Sequence, residues 1–100
     1  MKMRVDGDTL VVSEVSELGA ANSNGFRDWI RSCMNEAQRN VEVDLSGTSF
    51  IDSCGLGALI AIHKTATTRQ GKVRLLHPRP QVNQILELTR MHQIFDIVKT

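Results

Sequence analysis

Val41-Glu42-Val43-Asp44-Leu45 runs into Ser46-Gly47-Thr48-Ser49-Phe50-Ile51-Asp52, and then into Ser53-Cys54-Gly55-Leu56-Gly57-Ala58-Leu59-Ile60-Ala61-Ile62. These three pieces decide the fold. The first alternates polar and apolar residues and is β-branched, which predicts a strand. The second is a loop of small hydroxyl residues ending in two large apolar ones. The third places Leu56, Leu59, Ile60 and His63 on one helical face, with Ala58, Ala61, Ile62 and Thr65 forming a broad second one. That helix is expected to reach about Gln70 and stop at Gly71. Its glycines and alanines suit close approach to a sheet. Lys72-Val73-Arg74-Leu75-Leu76 is the next strand, so strand, helix and strand follow in order.

Upstream, residues 2–5 and 9–14 read as two antiparallel strands around Asp6-Gly7, a strong short-range hairpin signal. A polar stretch from Ser16 to Gly25 follows, where Asn22 or Ser23 can cap a helix. Phe26, Trp29, Ile30, Cys33, Met34 and Ala37 then recur at intervals of three and four, predicting a helix over 23–39. Downstream, Pro78 and Pro80 break the strand and start a short helix over 80–90, with Val82, Ile85, Leu86 and Thr89 inside. Ile94 to Val98 reads as a last short strand. The expected class is α/β, a mixed sheet opened by an N-terminal hairpin and continued by alternating helices and parallel strands. Trp29, Ile30, Leu45, Leu59, Ile60 and Leu75 are the expected core.

One hundred residues suit one domain, 1–100. Apolar residues make up 41% and charged residues 23%, the proportions of a globular protein rather than a disordered one. Twelve basic against eleven acidic side chains leave a net charge of +1, without the clustered basic residues of a nucleic-acid surface. Phe26, Trp29, Phe50 and Phe95 all fall in apolar patterns that a core would claim. Cys33 and Cys54 are too few for a disulfide framework, and the opening residues carry no signal-peptide pattern. The longest apolar run, Ala58 to Ile62, is too short to span a bilayer. A cytoplasmic protein with no membrane insertion, no metal and no cofactor is expected.

In open α/β sheets, sites form beyond the carboxyl ends of parallel strands, which is where residues 46–53 fall. Several chemistries fail on spacing. No Gly-Lys-Ser/Thr phosphate loop exists. Gly55-Leu56-Gly57 begins a dinucleotide fingerprint, but Ile60 stands at the third glycine position. Ser53 has Ile51, not glycine, two residues before it, unlike a hydrolase nucleophile. His63 would lie about 15 Å along the helix from Ser53, and His77 and His92 are isolated. No enzyme is expected. Cys54 reads as a small residue at a tight turn, with no resolving partner. Ser53 or Asp52 can cap the helix, the ordinary role for either.

Asp44-Leu45-Ser46, then Phe50-Ile51-Asp52-Ser53-Cys54-Gly55-Leu56-Gly57-Ala58-Leu59, resembles the signature of the STAS domain, specifically of the bacterial anti-sigma factor antagonists. The likeness extends over nearly the whole chain, from the hairpin to the helix near Val82–Leu88 and the short final strand. It implies a protein-binding signalling module of the STAS fold. It also implies phosphorylation at Ser53 by an anti-sigma factor that is a serine kinase, and reversal by a serine phosphatase. The unphosphorylated form would bind the anti-sigma factor and free the sigma factor, with Phe50, Ile51, Asp52, Ser53, Cys54, Gly55 and Gly57 at the partner surface. Two positions depart from the pattern. Cys54 replaces a common second serine. Ser16-Glu17-Leu18-Gly19 stands where the family carries Gly-Glu-Leu-Asp, so Gly19 replaces an acid, which bears on kinase recognition. Restoring it by Gly19→Asp is expected to alter recognition without changing the fold. Within the same resemblance, the alternatives are an accessory subunit of a lipid-transport ATPase or stress-signalling complex and a nucleotide or small-molecule binder. In the switch reading, the amides of Cys54 to Leu56 are expected to receive the anion.

Overall fold

The computed structural model describes residues 1–99. The hairpin forms as β1 (Lys2–Asp6) and β2 (Thr9–Ser13), antiparallel, with Asp6 opposite Thr9. Gly7 takes φ +62° in the two-residue turn, the left-handed backbone such a turn requires. A two-residue strand, β3 (Glu17–Leu18), precedes α1 (Ser23–Cys33). Next come β4 (Asn40–Asp44), a second two-residue strand β5 (Phe50–Ile51), and α2 (Ser53–Thr68). The chain closes with β6 (Val73–Leu76), α3 (Pro80–Leu88), a 3-10 turn at Met91–Gln93, and β7 (Asp96–Val98).

The main sheet runs β1-β2-β4-β6-β7, antiparallel at the hairpin and parallel thereafter. Residues alternate along β2, β4 and β6: Leu10, Val12, Val41, Val43, Val73 and Leu75 are buried, and their neighbours are half-buried. One face therefore carries the core, packed with Phe26, Ile30, Leu59, Ile62, Val82 and Leu86 from the helices. The other face is polar. There Glu42, Arg74 and Asp96 stand in one row across three strands, with Arg74 3.6 Å from Glu42 and 3.3 Å from Asp96.

Four expectations need correction. α1 ends at Cys33, not near residue 39. The apolar period does continue into Met34, which is buried. But the Asn35 side chain accepts from the Ala37 amide, and the Arg69 guanidinium donates to the Asn35 and Gln38 carbonyls. Those bonds favour a turn over another helical one, and Ala37 is left exposed. Trp29 and Ile60 are half-buried, at the margins of the core rather than inside it.

The end of α2 is also different. Gln70, not glycine, takes the left-handed conformation, at φ +61°. The Gly71 amide donates to the Ala66 carbonyl and the Gln70 amide to that of Thr67, a Schellman closure. Gly71 answers a separate need: a Cβ there would sit 1.7 Å from the Arg39 carbonyl oxygen. Finally, the last strand is shorter than 94–98, because the Ile94 and Phe95 amides close the 3-10 turn on the Met91 carbonyl. Phe95 turns inward, while Ile94 is 42% exposed.

Candidate functional site

The β4–α2 connection is stitched to the segment after β2. Thr48 is buried, and its hydroxyl donates to the Val15 carbonyl. The Ser49 amide donates to the Ser16 carbonyl at 3.0 Å, and the Asp52 amide to that of Leu18 at 3.1 Å. Between them, β3 and β5 form a parallel pair, with Glu17 beside Phe50 and Leu18 beside Ile51. On the other side, Arg79 donates from Nε to the Ser46 carbonyl at 2.9 Å. The small hydroxyl residues that mark this loop thus serve as hydrogen-bond partners that hold it in one shape.

Asp52 is the hub. It sits at the N-cap of α2 in extended backbone. Its Oδ1 accepts from the Cys54 amide at 2.9 Å and the Gly55 amide at 3.0 Å. Its Oδ2 accepts from the Ala20 amide at 3.1 Å, across 32 residues of sequence. The Gly55 amide most strongly, then those of Ala20 and Cys54, hold this carboxyl below its usual range, against an opposing push from desolvation. A carboxylate offers acceptor sites for all three donors at once.

Ser53 is therefore not the cap. It is the first residue of α2, exposed, and its hydroxyl is hydrogen-bonded to no other described residue. The expected anion cradle is absent too. The Cys54 and Gly55 amides are engaged by Asp52 Oδ1, and the Leu56 amide donates to the Asp52 carbonyl at 3.0 Å.

The surface around Ser53 differs in part from the expected set. Phe50 is 50% exposed, outside the core that its pattern suggested. Cys54 and Gly57 are exposed as well, and Gly57 lies one turn along α2 from Ser53, with nothing within 4 Å of a Cβ placed there. Ile51 and Gly55 are instead buried. Ile51 faces the core from β5. Gly55 lies under β3, where a Cβ would come 2.2 Å from the Leu18 carbonyl oxygen. These two shape the surface from beneath rather than forming it.

The β3–β5 pair, absent from the expected elements, brings Gly19 against Phe50 and Asp52. A Cβ on Gly19 would stand 2.8 Å from Phe50 Cε2 and 3.0 Å from Asp52 Oδ2. Glycine at 19 thus lets the Phe50 ring and the Asp52 carboxylate close over the loop. Gly19→Asp is not the conservative change expected above, since it must move Phe50 and set a second carboxylate beside Asp52. No periodic signal reveals this, because two-residue strands have no period to read.

Among the described residues, no group of three or more His, Cys, Asp or Glu is placed to hold a metal, and no helix is long and apolar enough to cross a membrane. The His63 ring packs edge-on against Phe95, at 5.4 Å between centroids. A hollow lined by Thr9, Asn40, Glu42, Lys72 and Arg74 lies on the polar side of the sheet, not around residues 46–53.

Comparisons with known proteins agree with this architecture. The family model of the STAS domain matches residues 1–100. A Thermotoga maritima protein named "Putative anti-sigma factor antagonist" is 26% identical over 98 residues, spanning 97% of this chain and 87% of that protein. A crystal structure described in the same words, also from Thermotoga maritima, superposes with a TM-score of 0.90 at 26% identity, covering 99% of this chain and 86% of that one. The anti-sigma factor antagonist SpoIIAA in its unphosphorylated form superposes at 0.78 with 19% identity, over 99% and 87% of the two chains, a likeness of fold.

Proposed function

The chain belongs to the STAS domain family, and from that premise we propose that it is an anti-sigma factor antagonist switched by phosphorylation of Ser53. In this reading the unphosphorylated chain binds an anti-sigma factor that is also a serine kinase, and a serine phosphatase restores binding. The observation that carries it is the division of labour at the start of α2. Asp52 caps the helix and leaves the neighbouring Ser53 hydroxyl exposed, with no hydrogen-bond partner among the described residues. A serine needed for structure would be a poor switch, and this one is not needed.

Phosphorylation adds about −1.5 to −2 charges at pH 7. Because the Cys54, Gly55 and Leu56 amides already have acceptors, the phosphate gains little from them and projects toward the partner, next to the Asp52 carboxylate. Its effect falls on the docking surface of Phe50, Ser53, Cys54 and Gly57, through charge, bulk and desolvation. A catalytic role for Ser53 lacks support, since no base lies within hydrogen-bonding reach of it among the described residues. The switch is tested by incubating the protein with ATP and its cognate serine kinase. Mass spectrometry should place one phosphate on Ser53 and none on Ser53→Ala. Phosphate at another residue, or none, would contradict the proposal.

A further inference from the structure

We propose that β1 pairs with β1 of a second copy of this chain, antiparallel about a two-fold axis at Arg4. β1 is an outer strand of the main sheet, bonded on one side only, to β2. The two-residue turn makes Asp6 and Thr9 a hydrogen-bonded pair. By alternation, Lys2, Arg4 and Asp6 direct their backbone groups to β2, and Met3 and Val5 direct theirs outward. An axis at Arg4 sets each Met3 opposite Val5 of the other copy, so the free N–H and C=O groups meet in two complete pairs.

The side chains suit the same register. Lys2 falls opposite Asp6 on the polar face, twice over. Met3 and Val5 point to the helix side, since they stand across from Val12 and Leu10. Val5 is 59% exposed at the margin of that side, and the pairing lays Met3 of the other copy against it. Neighbouring registers are poorer. Setting Met3 opposite Met3 brings Lys2 against Arg4, and setting Val5 opposite Val5 overlaps just Arg4, Val5 and Asp6 within the strands. The present partners of these charges are weak, with Lys2 3.6 Å from Glu14 and Arg4 3.8 Å from Asp6, all well exposed. Arg4 facing Arg4 is the one unfavourable pair, and five residues a side make a small interface, so the association belongs to the transient class. It uses none of Phe50, Ser53, Cys54 or Gly57, and does not rest on the proposed switch.

Sedimentation of the purified chain up to about 1 mM tests this, with circular dichroism to confirm folding. The wild type should dimerise with rising concentration. Lys2→Asp, which places aspartate opposite Asp6, should weaken the dimer by at least about tenfold, and the Lys2→Asp/Asp6→Lys double exchange should restore it. Val5→Lys, altering a side chain already in water, should also abolish the dimer. A wild type that stays monomeric, a dimer indifferent to Lys2→Asp or Val5→Lys, or a double exchange that fails to rescue would each overturn the proposal.

Discussion

The two long helices both begin behind a residue with a short polar side chain, and the two residues act differently. Asn22, at the start of α1, makes no side-chain capping bond. Its side chain turns back instead, accepting from the Gly19 amide at 2.9 Å and donating to the Glu17 carbonyl at 2.7 Å. Asp52, at the start of α2, caps two amides and reaches a third at Ala20. Asn22 both donates and accepts, as an amide can, while Asp52 accepts three times, as a carboxylate can. Both grip the same segment, residues 17–20. The position of a polar residue before a helix does not reveal whether it caps. The donors and acceptors around it decide, and here they leave the Ser53 hydroxyl without a partner among the described residues.

The sharpest way to break this arrangement is to push the gripped segment away. Gly55→Ala would drive a Cβ against the Leu18 backbone, with no flexible side chain to yield. Denaturant unfolding should show a loss of about 3 kcal/mol or more. Gly57→Ala, two residues on, meets open space. It should be neutral or gain up to about 1 kcal/mol, as alanine does over glycine within a helix. Equal effects at the two glycines would mean that β3 does not press on α2.

Asp52→Ala should be the next largest change, removing the cap and the Ala20 tie together. Its cost should depend on pH. The folded carboxyl is held below its usual value, so its contribution is present above the unfolded pKa of about 3.9 and is lost as pH falls through the lower folded one. The melting temperatures of wild type and Asp52→Ala should therefore differ at neutral pH and converge in strong acid. A gap that widened on acidification would refute the assignment. Asn22→Ala is expected to cost less, about 1 kcal/mol, and to show no such convergence in the same pH series of melts.

Much of this fold is legible in the residues, and the exceptions share a cause. The hairpin, β4, β6 and most of α2 carry a clear period of two or of 3.6, and the structure places them within a residue or two of where that period points. The errors arise where local hydrogen-bond chemistry overrides periodicity. Met34 and Ala37 extend the stripe of α1, but the turn from Asn35 to Gln38, clasped by Arg69, ends the helix first. Gly71 looks like a helix stop, yet Gln70 adopts the left-handed backbone, and Gly71 is there for its closeness to Arg39. At the candidate site, the loop and its place at the carboxyl end of a parallel strand are readable from sequence. Which of Asp52 and Ser53 caps is not, because it turns on an amide at Ala20 that only the folded chain brings near.

On the proposed reading, Ser53 is free of structural duty and governs partner binding. Titration of a cognate anti-sigma kinase against Ser53→Ala and Ser53→Asp, beside thermal melts of both, is the decisive measurement. Both variants should melt with the wild type, since Asp52 holds the helix. Ser53→Ala should bind as the unmodified protein does, and Ser53→Asp at least about tenfold more weakly, or 1.4 kcal/mol. Equal affinities for the two variants, or a marked drop in the melting temperature of Ser53→Ala, would contradict it.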